Sequence, residues 1–445
     1  MTSLRLFFFC LALGFAHLPA HSAAAHKAIA KPVAARSVPA KVAPKPTAPT
    51  ASINAATAAV LRETSAVRGL KIMRPVPTAA ISRPQIEAML TREMNVQTTS
   101  RQVHGSELML RVLGMVPNNF QLRPFYLKLL TEQVAGYYDP KARAFFTANW
   151  VDARAQKIVM LHELTHALQD QHFNLRRFQN WPRGDSDAQL AASALVEGDA
   201  MQAMVVYLQK RPLEAVGLLG ASLQSSLGGT AELNNAPRSL RESLTFPYER
   251  GVQWVGQLYQ RGGWAQVNRA FTQLPLSTEH ILHIDAYLKR EKPVEVRVPD
   301  IASLLGKGWN RVDEDVNGEW GNYLILDEFL KNDTESRRAA AGWGGDRYAV
   351  YEGPGGAACV VMLTAWDSKL DASEFFNAYT QRTTARATQQ KLTVQNIKAG
   401  LKPNQRLARF GQQQTFIELR GNRVLVVEAL PQTVSPQKVA SLLFK

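Results

Sequence analysis

Cysteine is almost missing from this chain of 445 residues: Cys10 and Cys359 are the only two. Cys10 sits in an N-terminal apolar run, so a chain trimmed of that run keeps one thiol. That excludes an intrachain disulfide and any thiolate metal site, and leaves metal binding to His and carboxylate. Beyond the N-terminal run no segment approaches ~18 uninterrupted apolar residues, so no transmembrane span is expected in the mature chain. The formal net charge is +15, yet there is no run of five Lys or Arg and no zinc-finger or RNA-recognition signature. Nucleic acid is therefore not an expected partner. The positive excess reads as a solvated basic surface, compatible with attraction to an anionic envelope surface. Internal repeats are absent as well. What remains is a globular balance of 46% hydrophobic and 20% charged residues, long enough for two domains.

The first 25 residues have the layout of a signal peptide. Arg5 supplies the positive end, Leu6 to Ala16 the apolar stretch, and the small residues around Ser22-Ala23-Ala24 a cleavage site. Export to the periplasm or the extracellular space follows. Residues 26–52 are rich in Ala, Pro and Lys and read as a disordered tether. Residues 53–296 are expected to form a mainly helical domain, and residues 297–445 a smaller α+β domain, giving an α+β chain overall. Helices are predicted over 84–94, 108–116, 126–134, 153–172 and 187–209, the last capped by Asp185 or Ser186. Gly136-Tyr137-Tyr138-Asp139-Pro140 reads as a turn and Ala144 to Ala148 as a strand. Further on, strands are predicted at 347–351 and 359–364, a capped helix at 371–381, and a hairpin about Gly421-Asn422.

The chemistry concentrates in His162-Glu163-Leu164-Thr165-His166. On a helix, residues four apart share a face, so the two imidazoles point at one place and can bind one Zn2+. Glu163 lies over the same site, where a carboxylate can take the proton of a metal-bound water. With nine His in the chain, a chance occurrence of the pattern has a probability of roughly one per cent.

A third protein ligand is needed if water is to hold the fourth position. Glu197 stands in the apolar run Ala194-Leu195-Val196-Glu197-Gly198-Asp199-Ala200, where an unpaired carboxylate is costly. It would be stable there as a ligand, or paired with an arginine. Gly198 leaves room for a close neighbour. The rival is His172, spaced as in the three-histidine zinc peptidases. Those have Gly three residues after the second His so that the chain can leave the helix; here that residue is Gln169. The comparison favours Glu197. Asp199 and Asp170 are candidates to orient the imidazoles.

The string from His162 to His172, with Leu195 to Ala200 downstream, resembles a group of uncharacterised exported bacterial proteins that look like gluzincin-type zinc peptidases. The resemblance extends to Gly136-Tyr137-Tyr138-Asp139-Pro140, Gly262-Gly263-Trp264, the block from Pro275 to His283, Gly342 to Tyr348, and Trp366-Asp367. It departs at Ile284-Asp285, where the group tends to have Pro after the His. The resemblance implies a zincin-like fold, His162, His166 and Glu197 as zinc ligands, and Glu163 as general base. It further implies that the strand near Arg143 to Thr147 walls the cleft and offers its edge to a peptide. An oxyanion donor is also required. The candidates are His283, His280, Tyr248 and Tyr138, with His283 first because its block matches the group.

The expectation is a zinc metallopeptidase acting on peptide or protein substrates. Two alternatives stay open: an envelope protein with a structural zinc and a partner-binding C-terminal domain, or a zinc hydrolase of a non-peptide amide or ester.

Overall fold

The structure is a computed structural model, described over residues 51–97, 99–150, 153–179, 184–214 and 231–444. The signal peptide and nearly all of the tether lie outside the described residues. The chain is α+β, with helices predominating up to residue 289 and a large sheet following. Among the described residues no helix is long and apolar enough to cross a membrane.

Helix α1 (Ala51–Arg68) leads into a short strand β1 (Thr78–Ile81), then α2 (Arg83–Gln97), α3 (Ser100–Val112) and α4 (Leu122–Gln133). Strands β2 (Gly136–Asp139) and β3 (Ala144–Ala148) precede the motif helix α5 (Ala153–Phe173). These three strands form one sheet in the order β1-β3-β2, with β1 parallel and β2 antiparallel to β3. Two expectations are corrected here. The segment 136–139, read as a turn because Gly, Asp and Pro punctuate it, is a strand closed by a turn at Pro140. Strand β3 is central, so both its edges are taken and it has none to offer a peptide.

Helix α6 (Ser186–Lys210) starts at Asp185, whose side chain accepts the Ala188 N–H. It is buried over most of its length, as its near-continuous apolar composition requires. Against it runs α7 (Arg238–Ala270). The two backbones touch at glycines. A Cβ on Gly198 would lie 2.3 Å from Gly251 backbone atoms, and one on Gly251 2.3 Å from the Ala194 oxygen. Near its end α7 breaks at Gly262 and Gly263, the latter at φ 58°, where glycine carries no steric cost. The break sets Trp264 against the end of α1, where its Nε1–H donates to the Val67 carbonyl at 2.8 Å.

After the short helix α8 (Thr278–Leu282), seven antiparallel strands form a sheet in the order β4-β5-β6-β10-β9-β8-β7. They are β4 (Asn310–Asp315), β5 (Trp343–Glu352), β6 (Ala358–Trp366), β7 (Val394–Ile397), β8 (Gln405–Phe410), β9 (Gln413–Arg420) and β10 (Arg423–Pro431). Alternation along each strand gives the sheet two apolar faces. Val350, Val360, Met362 and Val426 join a core shared with helices α9 (Gly318–Leu330) and α10 (Lys369–Gln389). Ala349, Val361, Leu363 and Leu425 face the C-terminal helix Pro436–Leu443 and the segment from Val296 to Leu305. The first of these cores also takes in Leu195 and Val196 of α6, so buried packing is continuous from the helical part into the sheet.

Candidate metal centre

Helix α5 is buried all round in its middle: Leu161, Leu164, Ala167 and Leu168 pack into the core formed with α1, β2 and α6. Its polar residues must therefore satisfy one another or a ligand. His162 and His166, one turn apart, bring their Nε2 atoms to 3.1 Å. Glu197 enters from α6 with Oε2 at 3.0 Å from His162 Nε2 and 3.4 Å from His166 Nε2. Three donor atoms thus form a nearly equilateral triangle. A tetrahedral ion bonded at about 2.0–2.1 Å sets its ligands about 3.3 Å apart, so the triangle fits one. Among the described residues this is the one group of three or more His, Cys, Asp or Glu side chains placed to hold a metal ion.

The charges agree with the geometry. Burial alone would lower His166, but the carboxylates of Glu197 and Glu163 outweigh it and hold the imidazole up at about 9. Burial would raise Glu197, and the two imidazoles instead bring it down to about 2. The carboxylate is ionised and its neighbours carry donors aimed at it, an arrangement that a bound cation would replace.

The next ring of contacts is specific. His166 Nδ1 donates to Gln169 Oε1 at 2.8 Å, leaving Nε2 for the centre. Gln169 Nε2 donates to Asp199 Oδ2 at 2.8 Å and to the Val196 carbonyl at 2.9 Å. Asp199 is paired with Arg68 at 2.6 Å, both fully buried. Glu163 is 1% exposed, and its Oε2 accepts the backbone N–H of Tyr138 at 2.8 Å. Tyr248 on α7 stacks on His162, ring centroids 6.3 Å apart, one turn before the Gly251 contact.

His162, Glu163, His166 and Glu197 therefore come together. His172 does not join them: its Nε2–H donates to the Lys71 carbonyl at 2.8 Å on the outer side of α5. The arginine alternative for Glu197 is taken by Asp199 instead. Asp170 turns away from the imidazoles to Arg74 at 2.6 Å and to the Tyr138 hydroxyl at 3.0 Å. His283 is bonded to Glu319 at 2.8 Å, beside α8, and no hydrogen bond, ion pair or ring contact links it to the triad. His280 is engaged by the Leu276 N–H and the Glu291 carbonyl. Of the four oxyanion candidates, Tyr248 lies against the triad and Tyr138 against Glu163. Sequence reading missed Gln169, noticed only as the wrong residue for a helix exit, and Arg68, which nothing in the local sequence marks.

Fold and site thus define an α+β protein with a buried two-histidine, one-glutamate cluster. Residues 304–440, spanning all seven strands of the large sheet, match a family described as "Domain of unknown function (DUF8575)". No curated protein and no solved structure matches the chain.

Proposed function

We propose that this protein is a zinc-dependent hydrolase with a zincin-like fold, of the gluzincin type, cleaving peptide bonds. The observation that carries the reading is the triangle of His162, His166 and Glu197 donors, with edges of 3.0–3.4 Å, beside the buried carboxylate of Glu163. The donor set of two imidazoles and one carboxylate, with no thiolate, suits Zn2+ and leaves a fourth position open. A zinc ion held there would acidify water and polarise a carbonyl. Glu163 is the base: it would take a proton from the attacking water and return it to the leaving amine. The Tyr138 N–H on Oε2 holds that carboxylate in place. Tyr248, rather than His283, is the oxyanion donor in this reading, a choice supported by the stacking of its ring on His162. Action on envelope or extracellular peptides follows from the N-terminal export signal.

A structural zinc site is the competing reading, favoured by burial: the ligand side chains are 9%, 2% and 7% exposed. One experiment separates the two. Purified wild type, His162→Ala and Glu163→Gln are assayed for bound metal and incubated with a peptide library. The hydrolase reading expects one zinc in wild type and Glu163→Gln, none in His162→Ala, and cleavage by wild type alone. Zinc in wild type with no cleavage under any condition supports the structural site.

A further inference from the structure

The four residues that follow the second ligand turn in sequence share one task. Gln169 links His166 to Asp199, and Asp199 pairs with Arg68 at the end of α1. Asp170 binds Arg74 at 2.6 Å. Gln171 Oε1 accepts the Met73 and Arg74 N–H groups at 2.7 and 3.0 Å, and its Nε2 donates to the Arg74 carbonyl at 3.2 Å. His172 donates to the Lys71 carbonyl. Residues 68–74 are thus laid along the exit side of α5 by consecutive side chains of that helix. They are held from the other side as well. Trp264, set by the glycine break in α7, donates to Val67 and lies under the Arg68 guanidinium at 4.3 Å from its ring centre. Asn268 accepts from Arg68 Nη2 at 2.8 Å.

We propose that residues 68–74 are a positioning strap for the metal centre: Arg68 fixes His166 through Asp199 and Gln169, and Arg74 fixes Glu163 through Asp170 and Tyr138. The inference rests on the metal-centre reading and adds to it a segment about ninety residues upstream that touches no ligand atom. Its physical content is tautomer and orientation. The buried pair with Arg68 holds Asp199 in place; Asp199 then orients the Gln169 amide, whose oxygen accepts from His166 Nδ1–H and so makes Nε2 the metal-facing atom. On the second branch Asp170 holds the Tyr138 hydroxyl at 3.0 Å, and the backbone N–H of Tyr138 holds Glu163. Arg74 neutralises Asp170, which is otherwise a nearly buried carboxylate. The strap thereby gives a shared role to three segments that the triad alone does not use: Gly262-Gly263-Trp264, the run from Gln169 to His172, and Gly136 to Pro140.

Two variants test the two branches with different readouts. Gln169→Met keeps chain length and removes both hydrogen bonds. It is expected to weaken zinc, measured by competition with a chromophoric chelator, about tenfold or more, and to change the visible spectrum of the cobalt(II)-loaded protein. Arg74→Gln, at a side chain 30% exposed, is expected to leave zinc affinity within twofold and to lower kcat about tenfold at nearly constant KM. If Gln169→Met does not fold, Trp264→Phe, which loses the bond to Val67, replaces it with the same expected direction of zinc affinity. Zinc affinity and cobalt spectrum unchanged in the first variant, together with unchanged kcat in the second, would overturn the strap while leaving the metal centre standing. A wild type that binds no zinc would sink both.

Discussion

The residues at the centre are set against each other so that each needs the others. His166 is held up at about 9 by Glu197 and Glu163 against its own burial, so in the metal-free protein at neutral pH it carries a proton. Zinc bound as proposed would have to expel that proton. The sign is then fixed: zinc affinity rises with pH up to about 9 and levels off above it. Isothermal titration in buffers of different ionisation enthalpy should detect about one proton released at pH 7; a buffer-independent heat would contradict the assignment. Tyr248→Phe removes the phenol that rests on His162. Under the hydrolase proposal this should cost roughly 100–1000-fold in kcat while leaving zinc bound, read from steady-state kinetics and metal content. His283→Ala, at a residue bonded to Glu319 and unconnected to the triad, should leave kcat unchanged.

At the scale of elements, the site depends on how closely α6 and α7 approach. Gly198 and Gly251 are the contact, and a methyl group at either would sit 2.3 Å from backbone of the other helix. Backbone cannot swing aside as a side chain can, so Gly251→Ala should destabilise the fold by about 1–3 kcal/mol, seen in thermal denaturation. Because Glu197 precedes Gly198 and Tyr248 lies a turn before Gly251, the same substitution should also weaken zinc at the proposed site. Loss of stability with wild-type zinc affinity would mean that the helix crossing does not position the ligand. Sequence reading located both α5 and α6 and anticipated close approach at Gly198, because helical periodicity and a glycine in an apolar run are local signals. It missed β1 and took β2 for a turn. Both strands are four residues long, too short for alternation to show, and are held by pairing with β3.

Across the whole molecule, acidic groups collect where the helical part meets the sheet. Asp187 on α6 accepts from both the N–H and the hydroxyl of Thr278 on α8, and Asp346 on β5 accepts the Asn317 and Gly318 N–H groups at the start of α9. Burial, helped by the neighbouring Glu319 charge, pushes Glu279 up to about 8. Burial likewise pushes Asp313 up to about 7 and Asp346 to about 6, and Asp187 well above the usual carboxylate range. For a carboxylate raised by folding, the folded state favours the neutral form. Its stabilising effect is greatest at low pH and is lost as pH climbs from the usual carboxylate value, ~4, through the folded value. His166 adds a loss in the same direction between about 6.5 and 9 when no metal is bound. The melting temperature of the metal-free protein should therefore fall by roughly 5 °C or more between pH 5.5 and 8.5, measured by calorimetry. A flat or rising profile would show that these carboxylates find compensation in the fold.

By itself the sequence determined that His162 and His166 share one face of a helix, because four residues make about one helical turn and that geometry is local, and that Glu163 follows the first of them on the same helix. It also offered two candidates for a third ligand, Glu197 because a carboxylate in an apolar run is costly and His172 because its spacing matches that of three-histidine zinc peptidases. Tertiary structure alone brought Glu197 rather than His172 to the two imidazoles, set Tyr248 rather than His283 against them, and paired Arg68 with Asp199 and Arg74 with Asp170. Contacts between residues 35 or more apart in sequence depend on how helices pack, and packing is settled by the summed fit of many apolar side chains, which no short pattern records.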